Sequence, residues 1–128
     1  MPIRKGVKAK ITKVIDLTPS VRELYFTPEG GFEFKAGQFI MIDLPHEGKM
    51  VQRAYSVASA DTETKEFKLV IKFYEFGVAS KWVQTLKGGE DVTFSGPFGK
   101  FLFKDKPAEQ VIFVCTSTGL APLYSMLI

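Results

Sequence analysis

A chain of 128 residues with 45% apolar side chains is long enough to bury a core and too hydrophobic to stay disordered. Seventeen basic against fourteen acidic side chains leave only +3, and the lysines are scattered along the chain, which argues against a nucleic-acid binder. A mild positive surplus suits a surface that meets an acidic protein or a phosphate-bearing cofactor.

The opening, Met1 to Gly6, lacks the apolar run of a signal peptide, and no stretch approaches membrane-spanning length. A cytoplasmic protein without membrane insertion is therefore expected. Val7, Ala9 and Ile11 then alternate with Lys8, Lys10 and Thr12, the period of a half-buried strand. Thr18-Pro19-Ser20 breaks the pattern, and Val21 to Thr27 makes a second strand with Arg22, Leu24 and Phe26 on one side. Pro28-Glu29-Gly30-Gly31 is turn chemistry. Gln38 to Leu44 reads as a third strand ended by Pro45, with His46 alone and solvated in the loop that follows. Val51 to Val57 is a fourth, and Phe67, Leu69, Ile71 and Phe73 alternate with Lys68, Val70 and Lys72 in the clearest strand of all.

After Gly77 the residues Ala79, Val83 and Leu86 fall at helical spacing, with Lys87 in the last turn and Gly88-Gly89 as the stop. Val92 to Ser95 is a sixth strand before a tight turn, Gly96-Pro97-Phe98-Gly99. Six short antiparallel strands with one helix predict a mainly β fold, a closed Greek-key barrel. The end differs in kind. Val111 to Cys115 is continuously apolar, as in a parallel strand buried on both faces, and Cys115 is expected as an inert, buried thiol. With a single cysteine no internal disulfide can form. Leu120, Leu123, Tyr124, Leu127 and Ile128 follow at helical spacing, so this end reads as the first β-α unit of a truncated α/β nucleotide-binding domain. The expected division is a barrel over 1–106 and that unit over 107–128, whose uncovered apolar surface could pair with a second copy.

Four stretches could carry chemistry. Arg53 and Tyr55 share a strand face, with Ser56 beside them. A guanidinium clamps phosphate and a tyrosine ring stacks on a planar heterocycle. Those letters alone favour a surface arginine, a half-buried tyrosine and a turn serine. Gly77 before a helix lets backbone N–H groups approach an anion, and Ser80 either donates to that anion or caps the helix. Gly96 to Gly99 reads mainly as structure. Thr116 to Pro122 sits where a phosphate loop of a nucleotide fold belongs, yet holds one glycine. No cluster of histidine, cysteine or carboxylate suggests a metal.

In this order and spacing the four stretches, over nearly the whole chain, resemble the ferredoxin–NADP reductase family. The resemblance implies a barrel that binds FAD and a following domain that binds NADP or NAD. Arg53 would contact the flavin pyrophosphate, Tyr55 would stack on the isoalloxazine, and Ser56 would hydrogen-bond near its N5. Tyr55 and Ser56 are then the catalytic pair. Val70, Ile71 and Lys72 match the strand whose backbone lines the flavin, and Gly77, Val78, Ala79 and Ser80 match the pyrophosphate-binding helix start. Thr118 and Gly119 match the loop that meets both nicotinamide and flavin. Where the family often has Gly-Thr-Gly, this chain has Ser117-Thr118-Gly119. The implied activity is an NAD(P)H-dependent oxidoreductase passing electrons to an acceptor such as ferredoxin, with this stretch alone inactive toward NAD(P)H. The alternatives are a flavin-binding electron-transfer or regulatory subunit, and a non-enzymatic β-barrel binding module.

Overall fold

The computed structural model describes residues 2–104 and 109–128. The strands are β1 (Arg4–Thr18), β2 (Val21–Pro28), β3 (Phe39–His46), β4 (Lys49–Ser56), β5 (Phe67–Lys72) and β6 (Asp91–Phe98). They form one sheet in the order β4-β3-β6-β1-β2-β5, with every pairing antiparallel. β6 inserts between β1 and β3 while β5 returns beside β2, which is the Greek-key crossing expected from the sequence. The sheet curls into a half-barrel around one core. Its two edge strands, β4 and β5, approach each other without a hydrogen-bonded ladder, leaving an open seam.

Alternation sets what faces inward. Val7, Ala9 and Ile11 are buried, as are Leu24, Phe26, Ile40, Ile42, Phe67, Leu69 and Ile71. Phe26 and Phe67 stack at 5.0 Å, and Phe94 meets Phe32 and Phe67 edge-on at 5.1 and 5.3 Å. Each such pair contributes about 0.5–1.5 kcal/mol beyond area burial.

Two predicted stops are not stops. β3 continues through Pro45 to His46, where it pairs only with β4, because pairing with β6 does not extend past Asp43. A proline is tolerated where one side of the strand is free. Glu47 and Gly48, at φ 49° and 77°, make the two-residue turn into β4. The expected turn at Gly96-Pro97-Phe98 is instead the end of β6, with Gly96 opposite Arg4 and Phe98 opposite Phe39. Register shifts on both flanking strands there absorb the proline. β1 runs 15 residues to the break read at Thr18-Pro19-Ser20, and serves β6 with its first half and β2 with its second.

The first helix, α1, spans Val78–Thr85, so Lys87 lies beyond its last turn. The cation at that C-terminus comes from β2. Arg22 donates through Nη1 to Val83 O at 2.9 Å and Leu86 O at 3.0 Å, while its Nε pairs with Asp16 at 2.8 Å. Orphan helix carbonyls and the negative end of the dipole are thereby satisfied together. Glu90 then accepts from the N–H groups of Lys87 (2.7 Å) and Gly88 (2.8 Å).

The C-terminal prediction needs correction. Val111 to Cys115 is not a strand; Val114 is 85% exposed and Cys115 is exposed rather than buried. A strand buried on both faces exists only between neighbours, and none of the described residues offers one. The helix after it does form. A short 3-10 turn, Ser117–Gly119, leads into α2 (Leu120–Leu127), which buries Ala121, Leu123 and Ser125. The proposed division between 106 and 107 lies outside the described residues. Among the described residues, no helix is long and apolar enough to cross a membrane.

Candidate flavin site along the open seam

Arg53 and Tyr55 stand opposite Ile42 and Ile40 in the β3–β4 ladder, so all four share one face of the sheet. The isoleucines are fully buried, but among the described residues no strand pairs with the far side of β4, and Arg53 emerges at the lip of the seam. Its guanidinium donates to the neighbouring Gln52 O at 2.9 Å. Among the described residues no carboxylate lies within ion-pair distance of it. A charge presented this way is free to meet an anion. Tyr55 packs its ring on the core and is half-buried. Burial pushes its phenol above the usual range, against a smaller opposing pull from Arg53, so the ring stays neutral through ordinary pH. Ser56 follows with opposite parity, opposite Phe39 at the strand end.

Across the seam, β5 turns Ile71 into the core and Val70 and Lys72 outward, which leaves backbone at the edge. The chain passes from β5 to α1 through Phe73–Phe76 and Gly77, whose φ of 110° and ψ of 151° suit glycine alone. No side chain caps α1 and no acidic residue stands in its first turn, so its leading N–H groups have no protein acceptor from a cap. Ser80 is not the cap: its hydroxyl accepts from Tyr74 N–H at 2.9 Å, bracing the approach to the helix. Val78 and Ala79 pack on the same core as Tyr55.

The structure therefore gathers Arg53, Tyr55 and Ser56 on one bank of the seam and Val70 to Lys72 on the other, with Gly77 to Ser80 following directly from the second bank. Thr118 lies apart from the first bank, beside Val70, in a groove of about 410 Å³ that also takes in Leu17, Val21, Glu23, Lys68 and Tyr124. Gly119 opens α2 next to it. Ser117 holds φ 50°, the left-handed conformation that favours glycine, so the backbone keeps the shape that a glycine would give at this position. Two further aromatics were missed. Tyr74 and Phe76 are 64% and 76% exposed in the loop before Gly77, and Lys72 Nζ lies 5.7 Å from the Tyr74 ring centre. Exposed rings at alternate positions beside a glycine-led helix start were the available signal.

A family model described as "Oxidoreductase FAD-binding domain" matches residues 8–103. The chain belongs to this family. Its similarity to individual members extends past that stretch. It is 38% identical over 122 residues to ferredoxin–NADP reductase B of Sorangium cellulosum, covering 94% of this chain and 50% of the relative. It is 34% identical over 120 residues to the glycine betaine monooxygenase reductase subunit of Pseudomonas aeruginosa, covering 91% of this chain and 33% of the relative. Among solved structures, a ferredoxin NADP+ reductase from Neisseria gonorrhoeae with bound FAD and NADP superposes with TM-score 0.86 at 26% identity, over 97% of this chain and 51% of that one. An Amycolatopsis cytochrome P450 reductase gives TM-score 0.89 at 27% identity, over 98% and 38%. The chain thus spans one third to one half of these proteins. The FAD-binding domain assignment agrees with the family resemblance read from Arg53-Ala54-Tyr55-Ser56 and Gly77 to Ser80.

The seam fits the cofactor on its own chemistry. A guanidinium with no carboxylate partner among the described residues, an uncapped helix start led by glycine and a neutral, half-buried aromatic ring answer the diphosphate and the ring system of FAD.

Proposed function

We propose that this chain holds FAD along the β4–β5 seam, as the flavin half of a reductase that moves electrons between NAD(P)H and a protein acceptor such as ferredoxin or an oxygenase component. The observation that carries the reading is the pairing of Arg53 on one bank with the uncapped Gly77–Val78 helix start that follows the other. Two positive sources, with no carboxylate within ion-pair distance of Arg53 among the described residues and none in the first turn of α1, suit a diphosphate.

Each residue then has a defined task. Arg53 clamps the diphosphate from β4, and the N–H groups of Val78 to Ser80 bind it from α1. Tyr55 offers its ring to the isoalloxazine, and the backbone of Val70 to Lys72 lines the ring's edge. Tyr74 and Phe76 present faces on which the adenine can stack. Ser56 would supply a hydroxyl that hydrogen-bonds at N5, without acting as acid or nucleophile. The bound flavin supplies the hydride and electron chemistry, and the protein supplies position and electrostatics. Thr118 and Gly119 stand beside β5 where a nicotinamide would be oriented. In the relatives half or more of the length lies outside the part matched here.

Reconstitution tests the reading. The chain, stripped of bound ligand and titrated with FAD, FMN and riboflavin, should bind FAD most tightly, because only FAD carries the whole diphosphate and adenine. Equal affinity for riboflavin and FAD would remove the diphosphate site, and no binding of any of the three would remove the function.

A further inference from the structure

We propose that Lys68 is a positioning residue: it docks α2, and with it the Thr118–Gly119 turn, onto the outer face of the strand that lines the flavin. The inference rests on the FAD reading above for its functional meaning, but its structural basis is separate.

Lys68 points out of the barrel, yet its side chain is only 18% exposed because α2 covers it. Its ammonium lies 3.3 Å from a carboxylate oxygen of Glu23, itself 13% exposed, and 4.9 Å from the centre of the Tyr124 ring. Tyr25 donates to the other Glu23 oxygen at 2.7 Å. That hydrogen bond, helped by burial and the Glu23 charge, pushes the Tyr25 phenol up to about 12, so it remains a donor across the working range of pH. A charge pair this covered is favourable only if its surroundings are fixed and every lone pair is met. The Tyr124 face completes the shell on the side that β2 and β5 cannot reach.

The same helix is held twice more. Ser125, 1% exposed, donates to Ser59 O at 2.6 Å, and the Ser59 hydroxyl accepts from the Lys68 N–H at 3.1 Å. At Gly37, φ 106°, an added Cβ would lie 1.8 Å from Phe101 O and 2.7 Å from Met126 Cε. No side chain fits there, so the 37 loop, the 101 segment and α2 meet backbone to side chain. Three consecutive α2 residues, Tyr124, Ser125 and Met126, are thus tied to the barrel. One short helix carries these ties to its own start, where Thr118 and Leu120 face Val70 across the groove. The barrel's residues set where the turn sits relative to β5, and no closing motion upon a substrate is needed to bring it there.

Amide hydrogen exchange on the full 128-residue chain tests this. Tyr124→Leu keeps an apolar side chain and removes the ring face, without changing a barrel residue. Amides of Leu123 to Leu127 should exchange about tenfold faster, the worth of a desolvated cation–π contact. Amides of β1, β3 and β6 should not change. Lys68→Met should give the same local acceleration, and Lys68→Arg should restore most of the protection, since a guanidinium keeps the charge and stacks on the ring. With FAD added, Tyr124→Leu should alter the visible circular dichroism of the bound flavin while leaving its dissociation constant within about twofold. Unchanged α2 exchange in Tyr124→Leu, or acceleration as large in the barrel as in α2, would overturn the proposal. A wild-type chain that binds no FAD would defeat the flavin reading alone, and the exchange arm would still decide the dock.

Discussion

Gly77→Ala is the most informative single perturbation of the seam. The residue sits at φ 110° and ψ 151°, and a Cβ there would find its nearest atom, Ser80 Oγ, at 3.9 Å. Space is available, so the whole penalty is backbone strain, about 1–3 kcal/mol for an L-residue held in a glycine-only region. The protein can meet that cost in two ways. If Tyr74 N–H keeps its bond to Ser80 and the helix start stays put, stability falls by the full amount, and the melting temperature drops by about 3–5 °C per kcal/mol for a chain of this size. If the backbone rotates to relieve strain, the melt is spared, but the N–H groups of Val78 to Ser80 turn away from the diphosphate. The same 1–3 kcal/mol then appears as about 5- to 150-fold weaker FAD binding. Thermal melts with and without FAD, together with a fluorescence titration, separate the two. A variant whose melt and FAD affinity both match wild type would refute the reasoning.

Other outcomes follow from the same geometry. At Glu90 burial raises the carboxyl, but the N–H groups of Lys87 and Gly88 outweigh it and the net shift is downward. A lowered folded value means stabilisation that is present above the ordinary glutamate range, near pH 4.3, and lost as pH falls through the folded value. Wild type should therefore melt above Glu90→Gln at pH 6, with the gap closing by pH 3; a gap constant in pH would contradict this. Ser117→Gly removes about 1–2 kcal/mol of left-handed strain but restores about 0.5–1 kcal/mol of unfolded-chain entropy. Chemical denaturation should show a change from neutral to about 1 kcal/mol stabilising, and a clear loss would show that the serine side chain is needed. In the longer parent protein, Ser56→Ala should slow flavin reduction in stopped flow by more than it weakens FAD binding, as for an interaction made mainly in the transition state. An unchanged rate would take Ser56 out of the mechanism.

The barrel was legible where a strand keeps one face in the core throughout. β5, with Phe67, Leu69 and Ile71 inside and polar or aliphatic residues outside, left no ambiguity. In β1 the alternation was legible only to Thr12, because burial fades after Ile11, where a register shift changes what its second half faces; its end was legible in Thr18-Pro19-Ser20. Pro45 and Pro97 were misread as terminators because a single chain does not reveal which strand side is free or where a bulge falls. Val111 to Cys115 shows the limit from the other direction: an apolar run encodes a need for neighbours and does not provide them. The bond from Arg22 to the end of α1 was invisible, since it joins residues 61 and 64 positions apart. The candidate motifs were legible in order; Arg53, Tyr55 and Ser56 border one bank of the seam and Val70 to Ser80 the other, whereas Thr118 and Gly119 stand apart in the groove beside Val70. Tyr74, Phe76 and the Lys68 dock were not legible, because their meaning depends on what packs beside them.

If Arg53 holds the flavin diphosphate at the seam, titrating FAD into wild type, Arg53→Ala and Arg53→Lys while following flavin fluorescence will show it. A charge-assisted contact contributes about 1.5–3 kcal/mol, so Arg53→Ala should bind about 10- to 150-fold more weakly. Arg53→Lys should recover part of the loss, keeping charge without the bidentate fork. Equal dissociation constants for wild type and Arg53→Ala would contradict the account.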